Sequence, residues 1–105
     1  MPATRSRLPS TELKDLRNFT RKRASSFFIV RSRENRLPHD RVAVIVSVKV
    51  DRRSTARHLM KRRVAGYLSL KRQGGKDIVV TVLPPAAALP RKAFLERLEE
   101  ILTAR

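Results

Sequence analysis

Basic side chains dominate one stretch of the sequence and indicate that it recognises phosphates. From Arg52 to Lys76 there is no acidic residue, and the same stretch contains nine lysines and arginines. They are Arg52, Arg53, Arg57, Lys61, Arg62, Arg63, Lys71, Arg72 and Lys76. Cations that follow a phosphate backbone release its counterions, and arginine can hold one phosphate with two parallel hydrogen bonds. The chemistry predicted here is therefore binding of a polyanion.

The spacing of these cations places several of them on one face of a predicted helix over residues 54–71. At about 100° per residue, Met60, Val64 and Tyr67 form an apolar stripe, and Arg63 falls on the same arc. Solvated helix faces usually mix charges of both signs. The opposite face of this helix does not, so nucleic-acid contact is favoured over an ordinary solvated face. The residues predicted to bind nucleic acid on this face and in the loop before it are Arg52, Arg53, Arg57, His58, Lys61 and Arg62.

The composition of the whole chain supports a polyanionic partner. The 105 residues include 25 Lys and Arg against 9 Asp and Glu, which gives a formal net charge of +16. A compact chain with that charge repels itself unless a polyanion is near. Nucleic acid is the first expectation, and an anionic membrane surface is the second.

Three absences in the sequence bear on its location. Cysteine is absent, which excludes disulfides and thiolate metal sites and suits a reducing compartment. No apolar run reaches the roughly 18–20 residues that span a bilayer. The first ten residues lack the apolar segment of a secretory signal. We therefore expect a cytoplasmic protein with no membrane partner.

Residues able to perform acid–base, nucleophilic or metal chemistry are few and scattered. His39 and His58 have no Asp or Glu at metal-ligand spacing. Glu96, Glu99 and Glu100 have the i, i+3 and i, i+4 spacing of a solvated helix face. The sequence contains no P-loop and no nucleophile elbow. We expect no catalytic residue and no metal ligand in this chain.

Hydrophobic periodicity predicts the elements that position the basic residues. They are a flexible basic arm at residues 1–9, a short helix at 10–23, strands at 26–32 and 41–50, a helix at 54–71, a strand at 77–83 and a helix at 91–104. A further short strand before Ser26 is left open. The order α-β-β-α-β-α predicts a single α+β domain over residues 1–105, in which helices pack on one face of a small mixed sheet.

The strand at 41–50 has one apolar and one mixed face. Valines occupy every second position from Val42 to Val50, so they share a face that must pack on a core. Arg41 and Lys49 lie on the other face, which is either covered or a working surface.

Two stretches resemble the bacterial ribonuclease P protein family. SVKVDRRSTARHLMKRRVAGYL, at residues 47–68, resembles the family's signature region, in which a strand ending S-K-K-V leads through a basic loop into a helix carrying R-N-R-x-K-R. GGKDIVVTVLPPAAALPRKAFLERLEEIL, at residues 74–102, resembles the family's G-x-D-I-V-V strand, Pro-Ala connection and final helix. The similarity covers residues 41–103 without gaps.

The helix motif is carried over position by position. Arg57, Lys61 and Arg62 match family residues directly. His58 stands where the family has asparagine, and Leu59 stands where it has the second arginine. Two positions of the R-N-R triplet therefore differ from the family pattern.

The resemblance implies a left-handed crossover around the basic helix and a catalyst made of RNA that uses Mg²⁺. The protein would bind that ribonuclease P RNA and the 5′ leader of precursor tRNA, and no protein partner would be required. A cleft between the sheet and the first helix would hold the leader. The residues expected to line it are Phe19, Phe28, Arg41 and Lys49.

Two other functional classes fit the same charge. One is a ribosomal or ribosome-associated structural protein, which would bind RNA without precursor cleavage. The other is a DNA-binding module that inserts residues 54–71 into a major groove, although no helix-turn-helix pairing surrounds them.

Overall fold

A computed structural model describes Leu8, residues 19–70 and residues 74–103. Four strands and two α-helices make up most of this part, and a short 3₁₀ helix at Pro84–Ala88 connects the last strand to the last helix. The elements are β1 (Arg21–Ala24), β2 (Phe28–Glu34), β3 (Arg41–Val46), α1 (Ser54–Leu70), β4 (Lys76–Val82) and α2 (Arg91–Thr103).

The four strands form one mixed sheet in the order β1-β2-β4-β3. β2 pairs antiparallel with both β1 and β4, whereas β3 and β4 are parallel neighbours. Parallel strands need a crossover connection, and α1 supplies it. The predicted mixed sheet and the helix between its last two strands are confirmed, and the left hand of the crossover stays a prediction.

One face of the sheet carries the main core. α1 contributes the buried stripe Met60, Val64 and Leu68. α2 contributes a second buried stripe, and both stripes pack against the same strand residues. The ring of Phe28 on β2 meets the ring of Phe94 on α2 edge to face, with their centroids 5.1 Å apart. Both described helices therefore lie on one face of the sheet, as the pattern predicts.

The other face carries a smaller apolar cluster. It contains Leu8, Phe19 and Val79, with Ala43 and Ile45 packed against them. Since Val79 and its neighbour Val80 on β4 are both fully buried, that strand is covered on both faces. A nearly continuous apolar run is typical of such a strand.

The predicted end of the first helix is wrong. Arg21 and Arg23 were expected to close a helix, but they lie in β1, where Arg23 pairs with Val30 of β2. β1 pairs with the edge of β2 that β4 does not occupy, and so satisfies the backbone hydrogen-bonding groups on that edge. Local helix signals in the sequence contain no information about this pairing. The rest of that predicted helix, residues 10–18, lies outside the described residues.

The N-terminal arm is likewise outside the described residues except at one position. Leu8 is 2% exposed, and its N–H donates to the carbonyl oxygen of Val42 at 3.0 Å. This position is therefore packed on the sheet edge and is not part of a free arm.

Two strand boundaries differ from the predictions. β3 ends at Val46, opposite the last residue of β4, and a turn follows in which the Val50 N–H donates to the Ser47 carbonyl at 3.0 Å. β2 runs further than expected, because Arg33 and Glu34 still pair with β4. In both cases the length of the partner strand decides where pairing stops.

The core predicts the first test. Replacing the fully buried Leu98 with alanine should lower the free energy of unfolding by roughly 2–5 kcal/mol, because a cavity remains. Leu70, which is 82% exposed, is the matched control and should change it by less than about 0.5 kcal/mol. Urea titration measures both, and equal effects would contradict the assignment of this core.

Candidate nucleic-acid interface

The structure brings the six predicted RNA-binding residues together at the start of α1 and in the loop before it. All except Arg57 are exposed. We call this set the basic helix surface: Arg52, Arg53, Arg57, His58, Lys61 and Arg62. The apolar stripe of α1 packs on the sheet, so the helix presents this opposite face outward.

Arg57 differs from the other five because it holds the loop that precedes α1. Its Nη1 donates to the carbonyl oxygens of Asp51 and Arg52 at 2.9 and 2.8 Å. Its backbone N–H donates to the Arg53 carbonyl at 3.1 Å, so Arg53 precedes the first helical turn. Arg57 thereby fixes the place from which Arg52 and Arg53 project.

Asp51 orders the same loop from the other side. Its carboxylate accepts the Arg53 backbone N–H at 2.9 Å and the Arg53 guanidinium at 3.2 and 3.0 Å. These hydrogen bonds hold the pKa of Asp51 below its ordinary value and raise the pKa of Arg53. The loop is therefore held by defined contacts although its side chains are exposed.

Lys49 belongs to this loop. Its predicted place on the mixed strand face is wrong, because β3 ends at Val46 and Lys49 lies in the exposed turn that follows. An open groove at the start of α1 is lined by Val48, Lys49, Val50, Asp51, Arg52 and Arg53. Lys49 therefore adds a cation beside the basic helix surface.

Arg63 is separate from the basic helix surface, as its position on the apolar arc predicts. It is half-buried, and its guanidinium carbon lies 5.6 Å from the ring centroid of Phe94. Within the described part of the chain its buried Nε has no hydrogen-bond partner.

A second set of cations lies on the sheet face that α1 and α2 do not cover. Alternation along the strands places Arg31 and Arg33 of β2 and Arg41 of β3 on this side, because their neighbours Val30 and Val42 face the helices. We call it the Phe19 face: Phe19, Arg31, Arg33, Arg41, Ala43, Ile45, Asp77 and Val79.

A buried carboxylate organises one end of the Phe19 face. The Asp77 side chain is 1% exposed. Arg41 donates Nε to its Oδ1 and Nη2 to its Oδ2, both at 2.8 Å. Arg33 donates Nε to Oδ2 at 3.0 Å, and Asn35 donates Nδ2 to Oδ1 at 2.9 Å. Burial alone raises the pKa of Asp77, but these hydrogen bonds outweigh it and leave the pKa below its ordinary value.

Arg33 also contacts the aromatic residue of this face. Its guanidinium carbon lies 4.5 Å from the ring centroid of Phe19, within the range of a cation–π interaction. Sequence reasoning missed Arg33, because it placed residue 33 in a loop. A lone aspartate at the start of an apolar strand was the available signal, since a buried carboxylate needs cationic partners.

The expectation that Phe28 lines a leader cleft is wrong. Phe28 is fully buried on the helix side of the sheet, against Phe94. Phe27 is partly buried and packs against the same core. Arg41 lies on the predicted strand face. Phe19 lies on the same side of the sheet, but just before β1 and not in the predicted helix, and the contact of both residues with RNA stays a prediction.

Neither a candidate metal cluster nor a candidate membrane-spanning helix is found among the residues that the structure describes. Residues 19–70 and 74–103, with Leu8, contain no group of three or more His, Cys, Asp or Glu residues that could hold a metal ion. No helix in these ranges has the length and apolar character needed to cross a membrane.

Comparison with known proteins gives a consistent result. The profile of the family described as Ribonuclease P matches residues 1–104. The ribonuclease P protein component of Chromobacterium violaceum is 36% identical over 75 residues, which cover 70% of this chain and 62% of that relative's length. The RNase P protein of Staphylococcus aureus has a similar fold, with a TM-score of 0.84, 22% identity and 92% of each chain covered. That of Thermotoga maritima has a TM-score of 0.73 and 19% identity, covering 94% of this chain and 97% of that one.

The Asp77 contacts predict a pH-dependent contribution to stability. A carboxylate whose pKa is lowered by folding stabilises the protein above its unfolded-state pKa of about 3.9, and this contribution disappears as the pH falls through the folded-state pKa. Asp77→Asn should therefore lower the free energy of unfolding by roughly 3–5 kcal/mol at pH 7. The difference from the native protein should shrink toward pH 2.

Urea unfolding from pH 7 to pH 2 measures this difference. Glu96→Gln on the exposed side of α2 is the matched control, because it removes the same charge without a buried partner. A native-minus-variant difference that stays constant over the whole range would contradict the role of the ionised carboxylate.

Proposed function

The chain belongs to the ribonuclease P protein family, and we propose that it is the protein subunit of ribonuclease P. In this role it binds the catalytic RNA and the 5′ leader of precursor tRNA, and assists the endonucleolytic maturation of tRNA 5′ ends. The single observation that carries the proposal is the basic helix surface, formed at the family's signature motif.

The basic helix surface is the proposed contact with the RNA subunit. Lys61 and Arg62 are exposed on α1, and Arg52 and Arg53 project from the ordered loop before it. Phosphate contacts of this kind position a protein on RNA without reading bases. Of the two altered positions, His58 lies within this surface and Leu59 is exposed beside it, so the helix keeps the charge of Arg57, Lys61 and Arg62 although two motif residues differ.

The Phe19 face is the proposed contact with the leader of precursor tRNA. Single-stranded RNA is held by cations along its backbone and by flat side chains on which its bases stack. Phe19, Arg33 and Arg41 supply both kinds of group on one face. Lys49 stands apart from them, in the loop beside the basic helix surface.

Hydrolysis is assigned to the RNA subunit, and Mg²⁺ is proposed as an ion of that RNA. The proposed work of this chain is to bind and orient RNA, and the basic helix surface supports that role. We place the assembly in the cytoplasm and require no further protein partner.

The electrostatic contact predicts a change in salt dependence. Lys61→Ala with Arg62→Ala should weaken binding to ribonuclease P RNA and reduce the slope of log affinity against log salt by about 1.4 to 1.8, which is two contacts at about 0.7 to 0.9 each. Arg57 is left in place because it holds the loop. Filter binding at several salt concentrations measures the slope.

The matched control is Arg91→Ala with Lys92→Ala. This pair is also adjacent and exposed on a helix, and its loss lowers the net charge equally. The control should keep the native slope. Equal slopes for both double variants would contradict a specific contact at the basic helix surface.

The assignment of hydrolysis to the RNA subunit and of RNA binding to this chain predicts the outcome of reconstitution. Protein freed of RNA should cleave no precursor tRNA at any Mg²⁺ concentration. When it is added to the RNA that co-purifies with it, cleavage at low Mg²⁺ should appear at the 5′ end of the mature tRNA. Metal-dependent cleavage by the RNA-free protein, or co-purification of ribosomal RNA alone, would overturn the proposed function.

A further inference from the structure

We infer that Asp77 is a positioning residue for single-stranded RNA, because it holds the guanidinium of Arg33 over the ring of Phe19. The inference rests on the proposed function, since the RNA concerned is the leader of precursor tRNA. Asp77 itself is too deeply buried to touch RNA, so its effect must pass through the side chains that it binds.

The position of Arg33 is set from two sides. Its Nε donates to Asp77 Oδ2 at 3.0 Å, and its guanidinium carbon lies 4.5 Å from the centroid of the Phe19 ring. An arginine side chain on a surface would otherwise sample many rotamers, and ordering it on binding would cost affinity. Because Asp77 and Phe19 already fix the Arg33 side chain in the free protein, less conformational entropy is lost when RNA binds.

The Arg33 side chain is more exposed than the ring that it contacts. Phe19 is only 5% exposed, whereas the Arg33 side chain is 20% exposed. Unpaired bases stack on arginine planes as well as on aromatic rings. We therefore assign the stacking surface to Arg33, with Phe19 as the support under it.

Asp77, Arg33 and Arg41 together carry a net positive formal charge. Asp77 carries one negative charge between the two positive charges of Arg33 and Arg41, so the cluster keeps a formal charge of +1. Neutralising Asp77 would raise this to +2 and release Arg33 at the same time. The higher positive charge of the Asp77→Asn variant predicts stronger leader binding, whereas the loss of the fixed Arg33 position predicts weaker leader binding.

The contribution of Asp77 to stability is compatible with a second role. Buried ion pairs are often no more stabilising than apolar residues of similar volume, and the surrounding strands are rich in valine. A chain with only 9 acidic residues places one of them beneath two arginines on the proposed leader face. Placement of those arginines is what the carboxylate adds.

The experiment uses the reconstituted holoenzyme and two precursor tRNAs, one with a short leader and one with a long leader. The measured quantity is the ratio of their affinities. Asp77→Asn should reduce the advantage of the long leader by about fivefold, the lower range for one stacked base. Glu96→Gln raises the net charge equally and should leave the advantage intact.

A second variant keeps the test valid if Asp77→Asn does not fold. Arg33→Lys on the sheet surface retains the charge but has no Nε–H to donate to Asp77 and no planar group to stack. It should lose the long-leader advantage to the same extent. In the double variant the two losses should not add, because Asp77 acts through Arg33.

The outcomes separate this inference from the proposed function. If the native enzyme favours the long leader and Arg33→Lys keeps that preference, the positioning role of Asp77 is wrong and the proposed function stands. Additive losses in the double variant would also overturn it. A native enzyme that shows no leader preference would overturn the proposed leader contact and this inference with it.

Discussion

The parallel pairing of β3 with β4 is the constraint on which the rest of the structure depends. Two parallel neighbours cannot be joined by a tight turn, so a crossover element must pass over the sheet. α1 is that element, and it can cross only with its Met60–Val64–Leu68 stripe against the strands. Its basic side is therefore turned away from the core. The topology of two strands thus decides which surface of the helix is available for the proposed RNA contact.

Acidic residues in the described part of the chain fix the positions of other side chains, and two of them position cations. Asp77 binds Arg33 and Arg41 beneath the Phe19 face, and Asp51 orders Arg53 in the loop before α1. Glu99 accepts the Tyr67 hydroxyl at 2.8 Å across the two helices, and burial together with this bond raises the pKa of Tyr67 to about 12. In a chain of net charge +16, the contacts of Asp77 and Asp51 determine where these arginines present their positive charge.

The elements with clear periodicity were predictable because their local patterns agree with their tertiary contacts. α1, α2 and β4 appear within one or two residues of their predicted ranges. The basic helix surface was predictable for the same reason, since an α-helix fixes which residues share a face. The errors lie at elements whose limits depend on pairing with a neighbouring strand. Arg21 and Arg23 belong to β1, and Lys49 lies beyond the end of β3.

The sequence by itself determined the positive charge that favours a polyanionic partner, the α+β architecture and the basic side of α1, because charge and period are properties of neighbouring residues. Only the tertiary structure decided that Phe28 is core, that Arg57 holds a loop, and that Arg33 lies over Phe19 beside Asp77. Asp77 is 44 residues from Arg33 and 36 from Arg41. No local pattern encodes such a meeting, because the register of the sheet brings these side chains together.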